Sequence, residues 1–298
     1  MSNGYKELTD EQAQHFLDKG HVVIKGAVSK ELAREWRDFA YERLGYDPHD
    51  PATWESERIH MPSMNSAAVR DIAPRAHAAI CDAVGGEDRL ADPDFRWADG
   101  MIVNFSQGAD RDWDPPSAEA GGWHKDGDWF KHFLDSPEQG LLIIVIWSDI
   151  KPQSGGTFVA CDSVKPIAKF LVDRPEGCLP QDVHFGEHIG KCSDFAEITG
   201  EIGDVVIIHP FMLHASSQNP SGVPRFITNP AVRIKEPMSF NRENPADYSL
   251  VERGVLKALD VDSLDWQPTA ERERVHPKRE QIQRKMLEEQ KARLAAAE

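Results

Sequence analysis

The segment Trp123-His124-Lys125-Asp126 contains the one His-x-Asp of the chain. If it is extended, His124 and Asp126 project from the same face, because side chains alternate along a strand with a period of two. An imidazole and a carboxylate side by side, joined by a second imidazole, form the ligand set that holds iron(II) and leaves coordination positions open. The pair alone is weak evidence for a metal site, because most such pairs are a surface ion pair or part of a turn. A third ligand is needed to support the assignment.

Two histidines that follow the apolar run Val205–Ile208 compete as the third ligand. His214 has Ser216 on the same face of an extended strand and Arg225 eleven residues later, whereas His209 directly ends the run. An arginine can hold a carboxylate through two parallel hydrogen bonds, and a hydroxyl can share that carboxylate. We therefore favour His214 as the ligand, with Arg225 and Ser216 as an anchor for a dicarboxylate co-substrate. His209 is more consistent with a core histidine.

Composition limits the class of protein and of partner. The chain has 298 residues and a formal net charge of −16, which argues against nucleic acid and anionic membrane as partners. No signal peptide precedes the first helical pattern, and the longest apolar run, residues 141–147, is too short to span a bilayer. The four cysteines show no C-x-x-C spacing. We expect a cytoplasmic protein with reduced thiols and a small-molecule substrate; its oligomeric state is left open.

Helical signals occupy the first part of the chain. Thr9 and Gln12 form a capping box, Ser29 caps a second helix, and Pro74 suits a first helical turn. Residues 46–65 are rich in Pro and Met and are predicted to be a loop.

From about residue 95 the pattern changes to short apolar strands separated by turns, which favours a closed or double-sheet β core. Pro230 interrupts the last strand. Residues 236–275 are mixed and polar, and 277–297 are predicted to be a helix that lies on the surface or frays. A short strand is predicted at 21–24, and the later predicted strands lie within 96–106, around His124, and at 141–147, 157–160, 205–208 and 225–234, with a helix at 165–172.

The order of these motifs resembles one known family over roughly residues 5–235. An amphipathic N-terminal helix is followed by His-x-Asp, a Trp-bearing strand, Gly-Gly-Thr, Gly-Asp-Val-Val-Ile-Ile, and a late His-x-Ser with Arg eleven residues on. This combination is similar to the phytanoyl-CoA dioxygenase family of iron(II)- and 2-oxoglutarate-dependent oxygenases. The resemblance implies a mainly β fold with flanking helices, whose core is a double-stranded β-helix, also called a cupin-like jelly-roll.

The resemblance also implies roles for individual residues. The catalytic metal ligands would be His124, Asp126 and His214. The far carboxylate of 2-oxoglutarate would be bound by Arg225 and Ser216. Trp147 would pack beside that co-substrate, and Met101 and Asn104 would lie on the strand facing it.

The implied activity is that of a dioxygenase that uses iron(II), 2-oxoglutarate and O2 to hydroxylate a small-molecule metabolite, with release of succinate and CO2. The implied organisation is a single oxygenase domain, 1–275, with a helical N-terminal part at 1–90 and a jelly-roll core at about 95–235, and a C-terminal helical tail at 276–298.

Two alternatives remain at this point, together with an open question about the pocket. The first is a cupin-like iron dioxygenase that does not use 2-oxoglutarate, which would give no role to Arg225 and Ser216. The second is a non-catalytic jelly-roll protein that binds a small molecule or a partner, which would give no role to the three predicted metal ligands. The residues that flank the ligand pair either line a substrate pocket or belong to the core; they are Trp123, Trp129, Phe130 and His132.

Overall fold

Short β-strands form the centre of the molecule, and the computed structural model describes residues 4–297 of the chain. The strands are β1 (His21–Ile24), β2 (Arg58–His60), β3 (Ser66–Ala68), β4 (Arg96–Ala98), β5 (Ile102–Asn104), β6 (Leu141–Ile146), β7 (Thr157–Ala160), β8 (Phe195–Ile198), β9 (Val205–Ile208), β10 (His214–Ser216), β11 (Arg225–Thr228) and β12 (Ala231–Val232). The helices are α1 (Asp10–Lys19), α2 (Lys30–Leu44), α3 (Val69–Ile72), α4 (Pro74–Val84), α5 (Val164–Val172), α6 (Leu250–Leu259) and α7 (Arg279–Ala297).

The strands pair antiparallel in two main sheets and one small one. The larger sheet has seven strands in the order β1-β9-β6-β11-β5-β2, with β12 also paired to β6. The second sheet has three strands in the order β10-β7-β8, and β3 pairs with β4 alone. Neighbours in these sheets are distant in the chain, so the sheets bring together residues from both halves of the sequence.

Strand β6 separates two apolar cores. Its six residues are all buried, which confirms the prediction that this run is covered on both faces. Leu142, Ile144 and Ile146 belong to an apolar cluster shared with the three-stranded sheet, whereas Leu141 and Ile143 belong to the cluster shared with the helices. This division follows from the two-residue period of a strand. Full burial of each such side chain stabilises the fold by about 1.5–3 kcal/mol.

The N-terminal helices begin and end where their capping residues predict. Thr9 and Gln12 form the capping box of α1, and Ser29 accepts a hydrogen bond from the Leu32 N–H at the start of α2. Helix α4 begins at Pro74. Side chains cap the starts of α1 and α2, and α4 has a proline in its first turn, so the prediction from short sequence signals is confirmed.

Two segments differ from the sequence-based expectation. Residues 46–65, predicted to be a loop, contain β2, whose backbone pairs with β5. Residues 236–275, predicted without an element, contain α6, which Ser249 and Glu252 cap reciprocally. The capping box of α6 is a local signal that can be recognised in the sequence. Strand β2 has almost no local signal, because its formation depends on pairing with β5.

The C-terminal helix α7 packs against α2. Gln290 is buried and accepts a hydrogen bond from Arg43 Nε at 2.9 Å, and the Arg293 side chain binds the carbonyl of Arg43. At its start, Arg279 pairs with Asp128. These contacts tie α7 to the rest of the fold, and residue 298 lies outside the described residues. Within 4–297, no helix has the length and apolarity required to cross a membrane.

Candidate metal centre and the cavities around it

The end of the three-stranded sheet positions the two candidate histidine ligands. His214 is the first residue of β10, and its backbone exchanges two hydrogen bonds of 2.9 Å with that of His124. The His124 segment therefore continues the sheet beside β10, and Asp126 follows two residues later. The ligand atoms of His124, Asp126 and His214 all lie within 4.8 Å of one another. Residues some ninety positions apart in sequence are thus brought to one point.

The distances within this cluster suit a single metal ion. His124 Nε2 and His214 Nε2 each lie 3.5 Å from Asp126 Oδ1. Ligand atoms about 2.1 Å from one ion and at right angles to each other would be about 3 Å apart, so small adjustments would complete the set. Three ligands on one side of the ion leave its other side open for further ligands.

The backbone selects which nitrogen of each histidine is available. His124 Nδ1 lies 2.8 Å from the carbonyl oxygen of Gly122, and His214 Nδ1 lies 3.2 Å from that of Met212. A carbonyl can only accept, so Nδ1 carries the hydrogen in both rings. The lone pair of each neutral ring is then on Nε2, the nitrogen that faces Asp126. Hydrogen bonds of this kind orient imidazole ligands at metal sites.

Asp126 has one oxygen held by the protein and one directed at the histidines. Asn229 donates a hydrogen bond of 2.9 Å to Oδ2, which leaves Oδ1 beside the two Nε2 atoms. Burial raises the pKa of Asp126, but His214 and His124 outweigh it and hold the pKa well below its usual value. The carboxylate is therefore ionised, as a metal ligand must be. Sequence reasoning did not identify Asn229, although it follows Arg225 at the end of the same short strand.

The two histidines differ in exposure, which shows where the open side of the cluster lies. The His124 side chain is 49% exposed and that of His214 is 8% exposed. His124 and Asp126 line a cleft of about 1000 Å³. A molecule in this cleft can approach the cluster from the side of His124, whereas the His214 side chain is almost fully buried.

Arg225 lies at the base of a smaller cavity behind the same cluster. This cavity is lined by Arg225, Ser216, His124 and His214, so the structure brings the two predicted anchor residues next to the two histidines. Ser216 reaches it from β10, where it is paired with Thr157 of β7. The predicted anchor thus shares one cavity with two of the three predicted ligands, His124 and His214.

The Arg225 guanidinium is buried without a carboxylate. Nε donates to the Gly155 carbonyl at 2.8 Å and Nη1 donates to the Ile102 carbonyl at 3.1 Å. None of the ion pairs among residues 4–297 includes Arg225. Burial lowers the pKa of Arg225 to about 9, and the charge of Arg58 acts in the same direction. A buried, uncompensated cation is costly, and an anion in the cavity would remove that cost.

The other three residues predicted to lie near the co-substrate, Trp147, Met101 and Asn104, do not line this cavity. Ile146 is paired with Ile227, which lines the cavity, so the next residue, Trp147, points to the opposite face. There Trp147 stacks on Trp36 of α2 at 5.0 Å. The placement does not support a contact between Trp147 and a co-substrate.

Met101 directly precedes β5 and Asn104 is its last residue, and both are fully buried. Met101 belongs to the core shared with the helices. Asn104 is opposite Arg225 in the sheet, and its side chain donates to the Ser217 carbonyl at 2.9 Å and accepts from the Gln107 N–H at 3.0 Å. Asn104 thus braces the wall of the cavity, with both ends of its amide engaged by the backbone.

His209 lies in the core near α6, away from the cluster. Its Nδ1 accepts a hydrogen bond from the Phe211 N–H at 3.1 Å, so Nε2 carries the hydrogen and is 3.3 Å from the Val251 carbonyl. Both nitrogens are engaged and burial lowers the pKa of His209 to about 3. His209 has the opposite tautomer from His214 and presents no free nitrogen to a metal.

The flanking aromatic residues divide between cleft and core. Trp123, Trp129 and His132 line the cleft, whereas Phe130 is buried beside them. Lys125, between the two ligands of the His-x-Asp, is buried: its Nζ donates to the Asp126 carbonyl at 3.0 Å and to His132 Nδ1 at 3.1 Å. It braces the turn that presents Asp126, and burial lowers the pKa of Lys125 to about 8.

Comparisons with known proteins find only distant likenesses. No protein-family model matches the chain, and no curated protein matches it. Among solved structures, the epimerase SnoN in complex with Fe3+, alpha-ketoglutarate and nogalamycin RO is 15% identical and covers 91% of this chain and 96% of that chain, with a TM-score of 0.45. HygX from Streptomyces hygroscopicus with nickel, 2-oxoglutarate and hygromycin B bound is 16% identical and covers 74% of this chain and 86% of that chain, with a TM-score of 0.40. A likeness at this level does not show the activity of the present chain.

Proposed function

We propose that this protein is an iron(II)- and 2-oxoglutarate-dependent oxygenase that hydroxylates a small molecule. One observation carries the proposal: His124 and His214, the two histidines of the cluster with Asp126, line the same cavity as Arg225, a buried cation that has no carboxylate partner among residues 4–297. A metal site and an anion site that meet in one cavity suit a ligand that is both a chelator and an anion.

His124 Nε2, Asp126 Oδ1 and His214 Nε2 would hold the metal. Iron(II) bound there would supply the reduction of O2 coupled to the conversion of 2-oxoglutarate into succinate and CO2. The protein fixes the orientation of its ligands before the metal binds, because Gly122 and Met212 hold the histidine rings and Asn229 holds the carboxylate. Preorganised ligands spare the site the cost of ordering these side chains on binding.

Arg225 would bind the far carboxylate of 2-oxoglutarate. Its Nε and Nη1 are fixed by two backbone carbonyls, which holds the plane of the guanidinium in place. The half-buried hydroxyl of Ser216 lines the same cavity and is in reach of the same carboxylate. Such a charge-assisted hydrogen bond in a buried place is among the stronger polar interactions in proteins.

The cleft on the His124 side would receive the substrate. Co-substrate in the inner cavity would leave this cleft free, so the two molecules would approach the metal from different sides. Trp123 and Trp129 line the cleft and offer apolar surface for the body of a small molecule.

At the level of the fold, we propose that the two main sheets form a double-stranded β-helix of the kind found in the phytanoyl-CoA dioxygenase family. Their antiparallel pairing and the apolar cluster between them support this assignment. We further propose that residues 1–275 form one oxygenase domain and that 276–298 form a tail attached to it.

The test is an anaerobic titration of the full-length protein. Iron(II) followed by 2-oxoglutarate is expected to produce the visible metal-to-ligand charge-transfer band of a chelated 2-oxo acid. His214→Ala should abolish the band, and His209→Ala, the matched control, should keep it. Absence of the band with iron bound would refute the use of 2-oxoglutarate and favour the iron dioxygenase that does not require it. Failure to bind iron would favour the non-catalytic binding protein.

A further inference from the structure

A second arginine faces the same cavity as Arg225, from a strand that the sequence did not reveal. Arg225 of β11 and Arg58 of β2 are both paired with Asn104 of β5, one on each side. Residues directly opposite in antiparallel strands direct their side chains to the same face of the sheet. Arg225, Asn104 and Arg58 therefore form one row across three strands, with a cation at each end.

Arg58 is connected to both cavities of the site. It lines the inner cavity together with Arg225, and it also lines the outer cleft together with His124 and Asp126. Unlike Arg225, which is fully buried, Arg58 is exposed to the cleft. It stands at the junction where a molecule in the cleft would come closest to the metal ligands.

In the described part of the chain, the guanidinium of Arg58 has no hydrogen-bond or ion-pair partner. Within residues 4–297, none of the hydrogen bonds or ion pairs involves its side chain. Arg279 lines the same cleft, but it is held by Asp128 through two bonds of 2.7 and 2.8 Å. The acidic residues that line the cleft are Asp126, Asp128 and Glu187. Glu187 is exposed on the segment Phe185–Lys191 and lies outside this row of the sheet. Among the lysines and arginines of residues 4–297 that line this cleft, Arg58 is thus the one without a protein partner.

We propose that the substrate carries an anionic oxygen group, such as a carboxylate, sulfonate or phosphate, and that Arg58 binds it. This inference rests on the proposed function, in which Arg225 is occupied by the co-substrate. With Arg225 occupied, Arg58 is the cation that remains open to the cleft, and its planar fork matches a carboxylate or phosphate. The aromatic wall formed by Trp123, Trp129 and Phe185 would contact the apolar part of the substrate.

The experiment uses a simple probe that carries these two features. Benzenesulfonate is titrated by calorimetry into the full-length protein with nickel(II) and 2-oxoglutarate bound, because a sulfonate is a poor metal ligand. Methyl phenyl sulfone is its uncharged counterpart. We expect wild type to bind benzenesulfonate at least tenfold more tightly than the sulfone, and Arg58→Gln to lose that difference. Arg58→Lys should restore part of it, since the charge remains but the fork is lost.

Two controls make the result specific to Arg58. Arg233→Gln removes the same charge from an exposed arginine that directly follows β12 and does not line the cleft, and it should bind benzenesulfonate as wild type does. Because Arg58 also lines the inner cavity, Arg58→Gln can alter the affinity for 2-oxoglutarate measured from the charge-transfer band, but the change should be less than tenfold. Benzenesulfonate binding that is absent in wild type, or unchanged in Arg58→Gln, overturns the inference. So does a tenfold loss of 2-oxoglutarate affinity in Arg58→Gln, because Arg58 would then belong to the co-substrate site.

Failure of the proposed function would be visible separately. If wild type gives no charge-transfer band, the oxygenase assignment fails. The benzenesulfonate titrations of Arg58→Gln and Arg233→Gln still decide whether Arg58 is an anion-binding residue. A normal band with unchanged benzenesulfonate binding in Arg58→Gln overturns the substrate inference alone.

Discussion

The core packed against the helices and the candidate site contain the same types of side chain in opposite conditions. His209 and His214 are five residues apart, yet both nitrogens of His209 are engaged by the backbone and Nε2 of His214 faces a carboxylate. Arg43 and Arg225 are both fully buried, yet Arg43 lies 3.1 Å from Asp99 Oδ2 and Arg225 has no carboxylate partner in the described chain. His209 and Arg43, the closed members of these pairs, have partners within the protein and stabilise the fold. His214 and Arg225, the open members, lack such a partner and remain available to bind a ligand.

This comparison teaches that residue type and burial do not by themselves identify a functional group. What separates the members of each pair is the set of partners within hydrogen-bond reach. A buried polar group with all its partners present has no capacity left, whereas one with a missing partner carries a cost until a ligand supplies it. The following predictions test this distinction, from the largest expected effect to the smallest.

Removing one histidine from each region should give opposite results. His214→Ala is expected to abolish iron(II) binding and substrate-coupled turnover, because it removes a ligand. His209→Ala should keep iron binding and lower the free energy of unfolding by about 1–3 kcal/mol, because it leaves the Phe211 N–H and the Val251 carbonyl without their partner. Metal content after dialysis and urea denaturation measure the two effects. Equal iron binding by both variants would contradict the assignment of ligands.

Removing one arginine from each region should separate binding from stability. Arg225→Ala is expected to weaken 2-oxoglutarate on the order of a hundredfold, because the far carboxylate loses its buried partner. Arg43→Ala should leave that affinity unchanged. It should cost about 3–5 kcal/mol of stability, because Asp99 remains buried without its cation.

The charge-transfer band measures the affinity, and denaturant unfolding of the same preparations measures the stability. A normal affinity in Arg225→Ala would place the co-substrate anchor elsewhere.

Asn229 hydrogen-bonds one carboxylate oxygen of Asp126 and leaves the other oxygen available to bind a metal. Asn229→Ala is expected to weaken metal binding about tenfold or more, because Asp126 loses the bond that orients it. Competition with a chelator measures this affinity. Asn244→Ala, an exposed asparagine that does not line the cleft, serves as the control. A matching loss in the control would show that the effect is not specific to the orientation of Asp126.

The closed histidine should make stability depend on pH. Burial lowers the pKa of His209 to about 3. An unfolded histidine titrates near about 6.5, so between these values the unfolded chain binds a proton that the folded chain excludes. Stability should therefore fall as the pH decreases from about 6.5 towards 3, with His209 contributing up to about 1.4 kcal/mol per pH unit. Urea unfolding at several pH values should show a shallower slope for His209→Asn than for wild type.

The elements that the sequence predicted well are those with local causes. The caps of α1 and α2, the start of α4 at Pro74 and the two-sided burial of β6 depend on neighbours in the chain or on an uninterrupted apolar run. Helix α6 has a local capping box of its own, and it was missed because its surroundings are polar. Strand β2 was missed because its pairing with β5 involves residues more than forty positions away.

The sequence by itself determined which residues could form the metal cluster and its anchor, because the spacing of His-x-Asp and of the late His-x-Ser with its arginine depends on chain order alone. Only the tertiary structure decided how they act. It set the tautomers of His209 and His214 and placed Trp147 on the far face of the sheet. It also aligned Arg58 with Arg225. The physical reason is that hydrogen-bond partners and sheet register join residues that are far apart in the chain.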